Sequence, residues 1–319
     1  MVAARIRLAG GNMRPQEIAT PLTRAAIFMV ATVASDRTNE IRSLLGEVSG
    51  LTKAVGFRYP EDQLSCVIGI GSLLWDQLSP NERPAHLHPF IPVNGATHHA
   101  PSTPGDLFFH IRSQELGLCF ELARLIKDRL PTGSEIVDEV QGFKYLDQRD
   151  LLGFVDGTEN PDQSEAAEVA IIREEEPDFI GGSYVIVQKY LHDLKAWEAL
   201  TTEDQERAVG RRKLENIELD DTIKPVNSHV ALNNIRDTND EELAIYRLNM
   251  PFGSLQDQSY GTYFIGYAKD VRITEQMLNN MFLGDPPGNH DRLLDFSTAL
   301  TGTLFFCPSM QLLELLSDA

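Results

Sequence analysis

Cysteine, positive charge and long apolar runs are all scarce in this chain, and each shortage removes a class of protein. Only three cysteines occur, Cys66, Cys119 and Cys307. They are odd in number, far apart, and each sits in an apolar context: SCVIGI, LGLCFEL and LFFCPS. Such a set gives neither a disulfide scaffold nor a zinc site, and it reads as buried reduced thiols of a cytoplasmic protein. Lys and Arg number 28 against 47 Asp and Glu, a net charge of −19. Phosphate repels a surface that acidic, which argues against nucleic acid and anionic membranes as partners. The apolar stretch Ala25–Ala34 (AAIFMVATVA) is too short to cross a bilayer and suits a strand. The first twelve residues, MVAARIRLAGGN, have two arginines but no continuous apolar segment, so they are no secretory signal. They read as a leader or disordered tail, with Met13-Arg14-Pro15 as an alternative start.

Familiar motifs are missing too. Residues 69–71 read Gly-Ile-Gly after a strand, but no third glycine follows at dinucleotide spacing, and no GK[ST] loop occurs. Neither a GxSxG elbow nor a Cys–His pair is present. His86, His88, His98 and His99 lie in a Pro-rich loop without HExxH or CxxC. They read as surface residues, and no metal is assigned to them.

What the chain does have is a core. The apolar fraction is 42%, with 15 Phe and 8 Tyr. Strand-like runs lie at 26–33, 65–71, 107–113, 183–191, 243–250, 262–268 and 303–307. Helical spacing of apolar residues predicts helices at Thr38–Ala54 and His192–Glu203, with two more at Gln114–Leu130 and Thr274–Phe282. The order strand–helix–strand–strand–helix–strand occurs twice, so the expected class is α+β: two ferredoxin-like domains with antiparallel sheets and outer helices, barrel-like when paired. The boundary falls near 150–160, giving a tail 1–12, an N-terminal domain 13–152 and a C-terminal domain 153–319.

Four stretches carry candidate chemistry. In 151-LLGFVDGTENPDQ-163 an apolar run reads as a buried strand ending in Asp156-Gly157, where glycine permits positive φ and turns the acid outward. In 224-KPVNSHVALNNIR-236, His229 sits among apolar residues after an Asn-Ser cap. Most such histidines are satisfied core residues, yet haem needs only one protein ligand. An imidazole ligand works best with a carboxylate on its other nitrogen. Asp291 and Asp295 in 289-NHDRLLDFS-297 both qualify, and spacing does not choose between them. In 243-LAIYRLNMPFGS-254, alternation puts Ile245, Arg247 and Asn249 on one face and Tyr246, Leu248 and Met250 on the other. That polar face suits either a wet edge strand or a cavity that stabilises an anion.

Together, G-x-x-D-G at Gly153-Phe154-Val155-Asp156-Gly157, His229 and Arg247-Leu248-Asn249 resemble the dye-decolorising peroxidase family, B-type bacterial branch. The resemblance covers most of the chain. It implies a haem peroxidase that reduces hydrogen peroxide and oxidises dyes, phenols and related donors through a ferryl intermediate. It implies one haem b per chain, with His229 as proximal iron ligand and Asp291 as that ligand's carboxylate partner. Asp156, Arg247 and Asn249 become the catalytic residues on the peroxide side. Arg247, Glu159, Asn160, Phe264 and Met281 join the haem contacts. An aspartate on that side implies an optimum at acid pH. Electrons from large donors would arrive through Trp75, Trp197, Tyr246, Tyr263 or Tyr267, and Glu159 and Glu242 could hold Mn²⁺. A cytoplasmic homo-oligomer, dimer or higher, is the expected setting. A competing reading is a haem-binding or haem-iron-releasing protein without peroxidase turnover.

Overall fold

The computed structural model describes residues 13–79, 82–162 and 164–318. The leader expected at 1–12 lies outside the described residues. Ten strands form one sheet: β1 (Ala25–Thr32), β2 (Ser65–Gly71), β3 (Leu107–Ser113), β4 (Glu135–Phe143), β5 (Ser183–His192), β6 (Tyr246–Arg247), β7 (Met250–Ser254), β8 (Ser259–Ala268), β9 (Ser297–Ala299) and β10 (Thr303–Cys307). Their order is β6-β8-β5-β10-β2-β3-β1-β4, with β7 also on β8 and β9 also on β5. The pairings are antiparallel.

Each half repeats one order, β2-β3-β1-β4 and then β6-β8-β5-β10, second–third–first–fourth in both. The crossovers of the first half are α1 (Thr38–Gly56) and α2 (Leu116–Lys127). Those of the second contain three short helices, α3 (Leu194–Glu198), α4 (Thr202–Val209) and α5 (His229–Asn233), and then α6 (Val271–Leu283). The α+β class with two ferredoxin-like halves is therefore the fold the chain adopts. A short ladder joins the halves, Phe305↔Gly71 and Phe306↔Ile70. At the far ends of the sheet Gly142 of β4 meets Met250 of β7 so closely that a Cβ on Gly142 would lie 2.6 Å from the Met250 Cβ. The sheet thus curls almost onto itself.

Strand alternation explains the layering. Phe28, Val67, Phe108, Val185, Tyr263 and Phe305 point inward from both halves into one shared core. The opposite faces take helices. α1 buries Ile41, Leu44, Leu45 and Val48, a spacing that keeps them on one stripe, each contributing roughly 1.5–3 kcal/mol.

Several local expectations change. The helix expected at His192–Glu203 is two helices. Asp193 caps α3 by accepting the Ala196 N–H at 2.9 Å, and Thr201 caps α4 by accepting the Asp204 N–H at 3.2 Å. The apolar run 151–155 is no strand. It is a series of turns with one bridge, Arg149↔Val155, because Gly153 and Gly157 take φ of +92° and +77°. Its Leu152 and Phe154 are apolar because they pack on Trp197, Ala208 and Val209. The run 243–250 keeps its alternation but is not one continuous strand. Asn249 interrupts the ladder by accepting the Ile265 N–H on its side-chain Oδ1 at 3.0 Å.

Candidate active site

The outer face of the second-half sheet is only partly covered by helix. Between β5, β6, β8, α5 and α6 lies a cavity of about 1180 Å³. The predicted residues His229, Asp156, Arg247, Asn249, Glu159, Phe264 and Met281 all line it. Asp291 lies behind it, fully buried. Asn160, expected at a haem edge, is not on its wall.

His229 opens α5, whose N-cap Ser228 accepts the Ala231 N–H. Asn233 Nδ2 donates to the His229 carbonyl at 2.8 Å and fixes this short turn. His229 Nδ1 donates to Asp291 Oδ2 at 2.6 Å, a charge-assisted bond. The other Asp291 oxygen accepts the Leu293 N–H at 2.8 Å. Asp295, the alternative on spacing, instead meets His98 and His290. The Nε2 of His229 has no hydrogen-bond partner among the described residues.

The turn that holds Asp156 is clamped by an arginine. Arg149 donates to the carbonyls of Gly153 at 2.8 Å and Lys213 at 2.7 Å. The Asp156 N–H donates to Gln148 O at 2.9 Å. Asn249 Nδ2 donates to Asp156 Oδ1 at 3.3 Å, which ties the turn to the strand edge. Asn160 makes the second tie. Its carboxamide accepts the Arg247 N–H at 2.9 Å and donates to the Arg247 carbonyl at 2.6 Å, as a neighbouring strand would. That commitment is why Asn160 does not face the cavity. A second cleft of about 1100 Å³ lies beyond Asp156 and Arg247 and is lined by Asn160.

Sequence reasoning missed three polar groups on the cavity wall. Asp150 is pushed up to about 7 by burial and by the charge of Asp156. His192 lies between two hydroxyls, Ser297 Oγ at 2.8 Å and Thr262 Oγ1 at 2.9 Å, and burial pushes it down to about 4. Arg211 pairs with Glu159. His192 and Arg211 carry no local signal, since their partners are distant in sequence, and Asp150 carries none because its burial comes from the fold. The tyrosines considered as electron relays lie elsewhere: Tyr246, Tyr263 and Tyr267 pack into the shared inner core.

The cavity fits haem on its own evidence. Its wall is mainly apolar, with Leu152, Phe154, Ile245, Phe264, Met277 and Met281. It offers one imidazole with an uncommitted nitrogen and a carboxylate behind it. Burial draws Arg247 down from its usual value, opposed by Asp156 and Glu159, and its buried Nε has no partner among the described residues. A guanidinium in that state suits an anionic group within the cavity.

Comparison with known proteins agrees. Family models for the C-terminal and N-terminal parts of the Dyp-type peroxidase match residues 147–312 and 15–144. A dye-decolorizing peroxidase of Mycolicibacterium paratuberculosis is 55% identical over 302 residues, 95% of this chain and 85% of that protein. The DyPB structure from Rhodococcus jostii superposes with a TM-score of 0.92 at 56% identity, covering 95% of this chain and 98% of that one. Variants of that protein have been solved with heme and with manganese. An encapsulated DyP-type peroxidase from Mycobacterium smegmatis gives a TM-score of 0.93 at 52% identity, over 95% of this chain and 98% of that one. The chain belongs to the Dyp-type peroxidase family. It is a haem-dependent peroxidase, an oxidoreductase that reduces hydrogen peroxide and oxidises dyes and related donors. The haem-handling alternative without turnover is not favoured.

Proposed function

We propose that His229 would hold haem b, one per chain, through its Nε2, and that Asp156, Arg247 and Asn249 are the residues that act on peroxide. When bound, haem supplies the iron that takes up peroxide and the oxidising equivalents later returned to donors. Asp291 holds the proton on His229 Nδ1, which leaves the Nε2 lone pair for the metal and makes the imidazole more basic. Asp156 accepts a proton from one peroxide oxygen and returns it to the other. Asn249 fixes one Asp156 oxygen through the 3.3 Å bond and leaves the second free for that transfer. Arg247 stays protonated and stabilises the negative charge that grows on the departing oxygen, an effect strongest where water is excluded.

One observation carries this reading: a buried guanidinium with no partner for its Nε shares a cavity with an imidazole backed by a buried carboxylate. A visible spectrum with stopped-flow peroxide mixing tests it. His229→Ala should lose the Soret band. Arg247→Ala should keep the band and react with peroxide about 10²–10³-fold more slowly. An unchanged Soret band in His229→Ala sinks the ligand assignment.

The finer partners belong to the same proposal. Glu159 and Glu242 line one cleft of about 430 Å³ beside His229 and Arg247, which supports a Mn²⁺ site there. The manganese complex of the R. jostii variant lends support from a relative. We also infer a cytoplasmic homo-oligomer, with domains 13–152 and 153–319. The family models meet between residues 144 and 147, a few residues before that boundary. Among the described residues no helix is long and apolar enough to cross a membrane.

A further inference from the structure

Outside the haem cavity, two histidines converge on one carboxylate. His98 Nε2 and His290 Nε2 lie 3.1 and 3.0 Å from the same oxygen, Asp295 Oδ1. Their rings meet edge to face with centroids 4.7 Å apart. The donor atoms all fall within 4.8 Å of one another. We propose that His98, His290 and Asp295 form a binding site for a divalent transition ion of the zinc class. The Pro-rich loop alone assigns no metal to His98, because the carboxylate that joins it, Asp295, stands 197 positions away.

The spacing suits an ion. Ligand atoms about 2.0–2.2 Å from a common metal stand about 2.8–3.6 Å apart at octahedral to tetrahedral angles, and both imidazole nitrogens lie at such a distance from Asp295 Oδ1. The donor set is two imidazoles and one carboxylate, the combination that nitrogen-preferring divalent ions such as Zn²⁺ select over Mg²⁺ or Ca²⁺. Side-chain exposures of 21%, 29% and 40% for His98, His290 and Asp295 leave room for water to complete the coordination.

The scaffold fixes the three groups before any ion arrives. His98 belongs to a tight turn in which the Gly95 N–H donates to the His98 carbonyl at 3.0 Å. Gly95 lies so close to the end of α6 that a Cβ there would fall 2.1 Å from the Phe282 carbonyl oxygen. His290 follows a compact loop in which Gly284, at φ +88°, packs on the Asn289 backbone. Asp295 closes the short 3-10 helix Arg292–Asp295 that Asp291 caps. A metal here would tie a loop of the first half to the segment carrying Asp291. That is a role distinct from haem ligation.

The test is zinc uptake by the haem-loaded enzyme. After equilibration with zinc and removal of excess, elemental analysis should show one more zinc per chain in the wild type than in His98→Gln or Asp295→Asn. Zinc should raise the Tm of the wild type and leave those two variants unmoved. His88→Ala should bind as the wild type does, since His88 pairs separately with Glu275 at 3.2 Å. Anomalous scattering from zinc-soaked crystals needs no variant and should place a peak between the three side chains. No bound zinc in the wild type, equal zinc in the isosteric variants, or no such peak overturns the proposal.

Discussion

Replacing Asn160 by alanine should loosen Arg247 without removing any side chain from the cavity. Two hydrogen bonds are lost, at 2.9 and 2.6 Å, and both belong to the Arg247 backbone. Each contributes about 0.5–1.5 kcal/mol net, so full loss costs roughly 1–3 kcal/mol. The adjoining cleft of about 1100 Å³ admits water that takes over part of the bonding, which places the expected loss nearer the lower end. The functional cost should be larger, because a guanidinium displaced by about 1 Å can lower a rate by ~10²-fold. Haem content should hold, since Asn160 does not touch the haem cavity. Asn160→Asp keeps the acceptor for the Arg247 N–H but points an anionic oxygen at the Arg247 carbonyl, so it should be no better than alanine. Calorimetry of the haem-loaded protein and stopped-flow peroxide mixing measure both effects. If Asn160→Ala melts with the wild type and reacts with peroxide at the wild-type rate, Asn160 is no brace.

Three further outcomes are expected. Asp291→Asn should weaken haem affinity about 10–100-fold in an equilibrium haem titration, because the imidazole loses its buried charged partner; wild-type affinity would contradict this. His192 has a folded value pushed down to about 4. The unfolded chain, with an ordinary histidine near 6.5, takes up that proton first as pH falls, so stability drops between about pH 6.5 and 4. His192→Gln should flatten that slope in urea titrations across this range. Asp150 has a folded value raised to about 7, so the unfolded carboxyl ionises first as pH rises, and stability declines from about pH 4 to 7. Asp150→Asn should therefore gain most over the wild type above pH 7; an equal offset at pH 5 and 8 would refute the assignment.

Much of the sheet could be read from the sequence, because inward and outward residues alternate in it. Tyr246, Leu248 and Met250 enter the inner core while Ile245, Arg247 and Asn249 line the cavity, as period two requires. The Asp156 loop was misread for the opposite reason. Leu152 and Phe154 are as apolar as strand residues but serve a small cluster around Trp197, and composition cannot tell those uses apart. β4 was missed because EIVDEVQGF places acids along a largely wet strand. The partnership of Asp291 with His229 was one of two candidates on spacing. The brace from Asn160 to Arg247 left no trace at all, because 87 residues separate the two.

The short ladder between β10 and β2 also bears on how the chain is made. β2 gains β3 as a neighbour early, and the Gln16 side chain bonds Ile68, but the Ile70–Gly71 end of its other edge waits for Phe305 and Phe306, near the end of the chain. At a synthesis rate of about 5–20 residues per second, that end stays unpaired for roughly 10–50 s on the ribosome. The exposed segment, CVIGIG, is apolar and uncharged, the composition that invites pairing with another nascent chain. Truncations near the C-terminus should therefore show up first as insolubility rather than as lost activity, even though the cavity residues are all translated before residue 300.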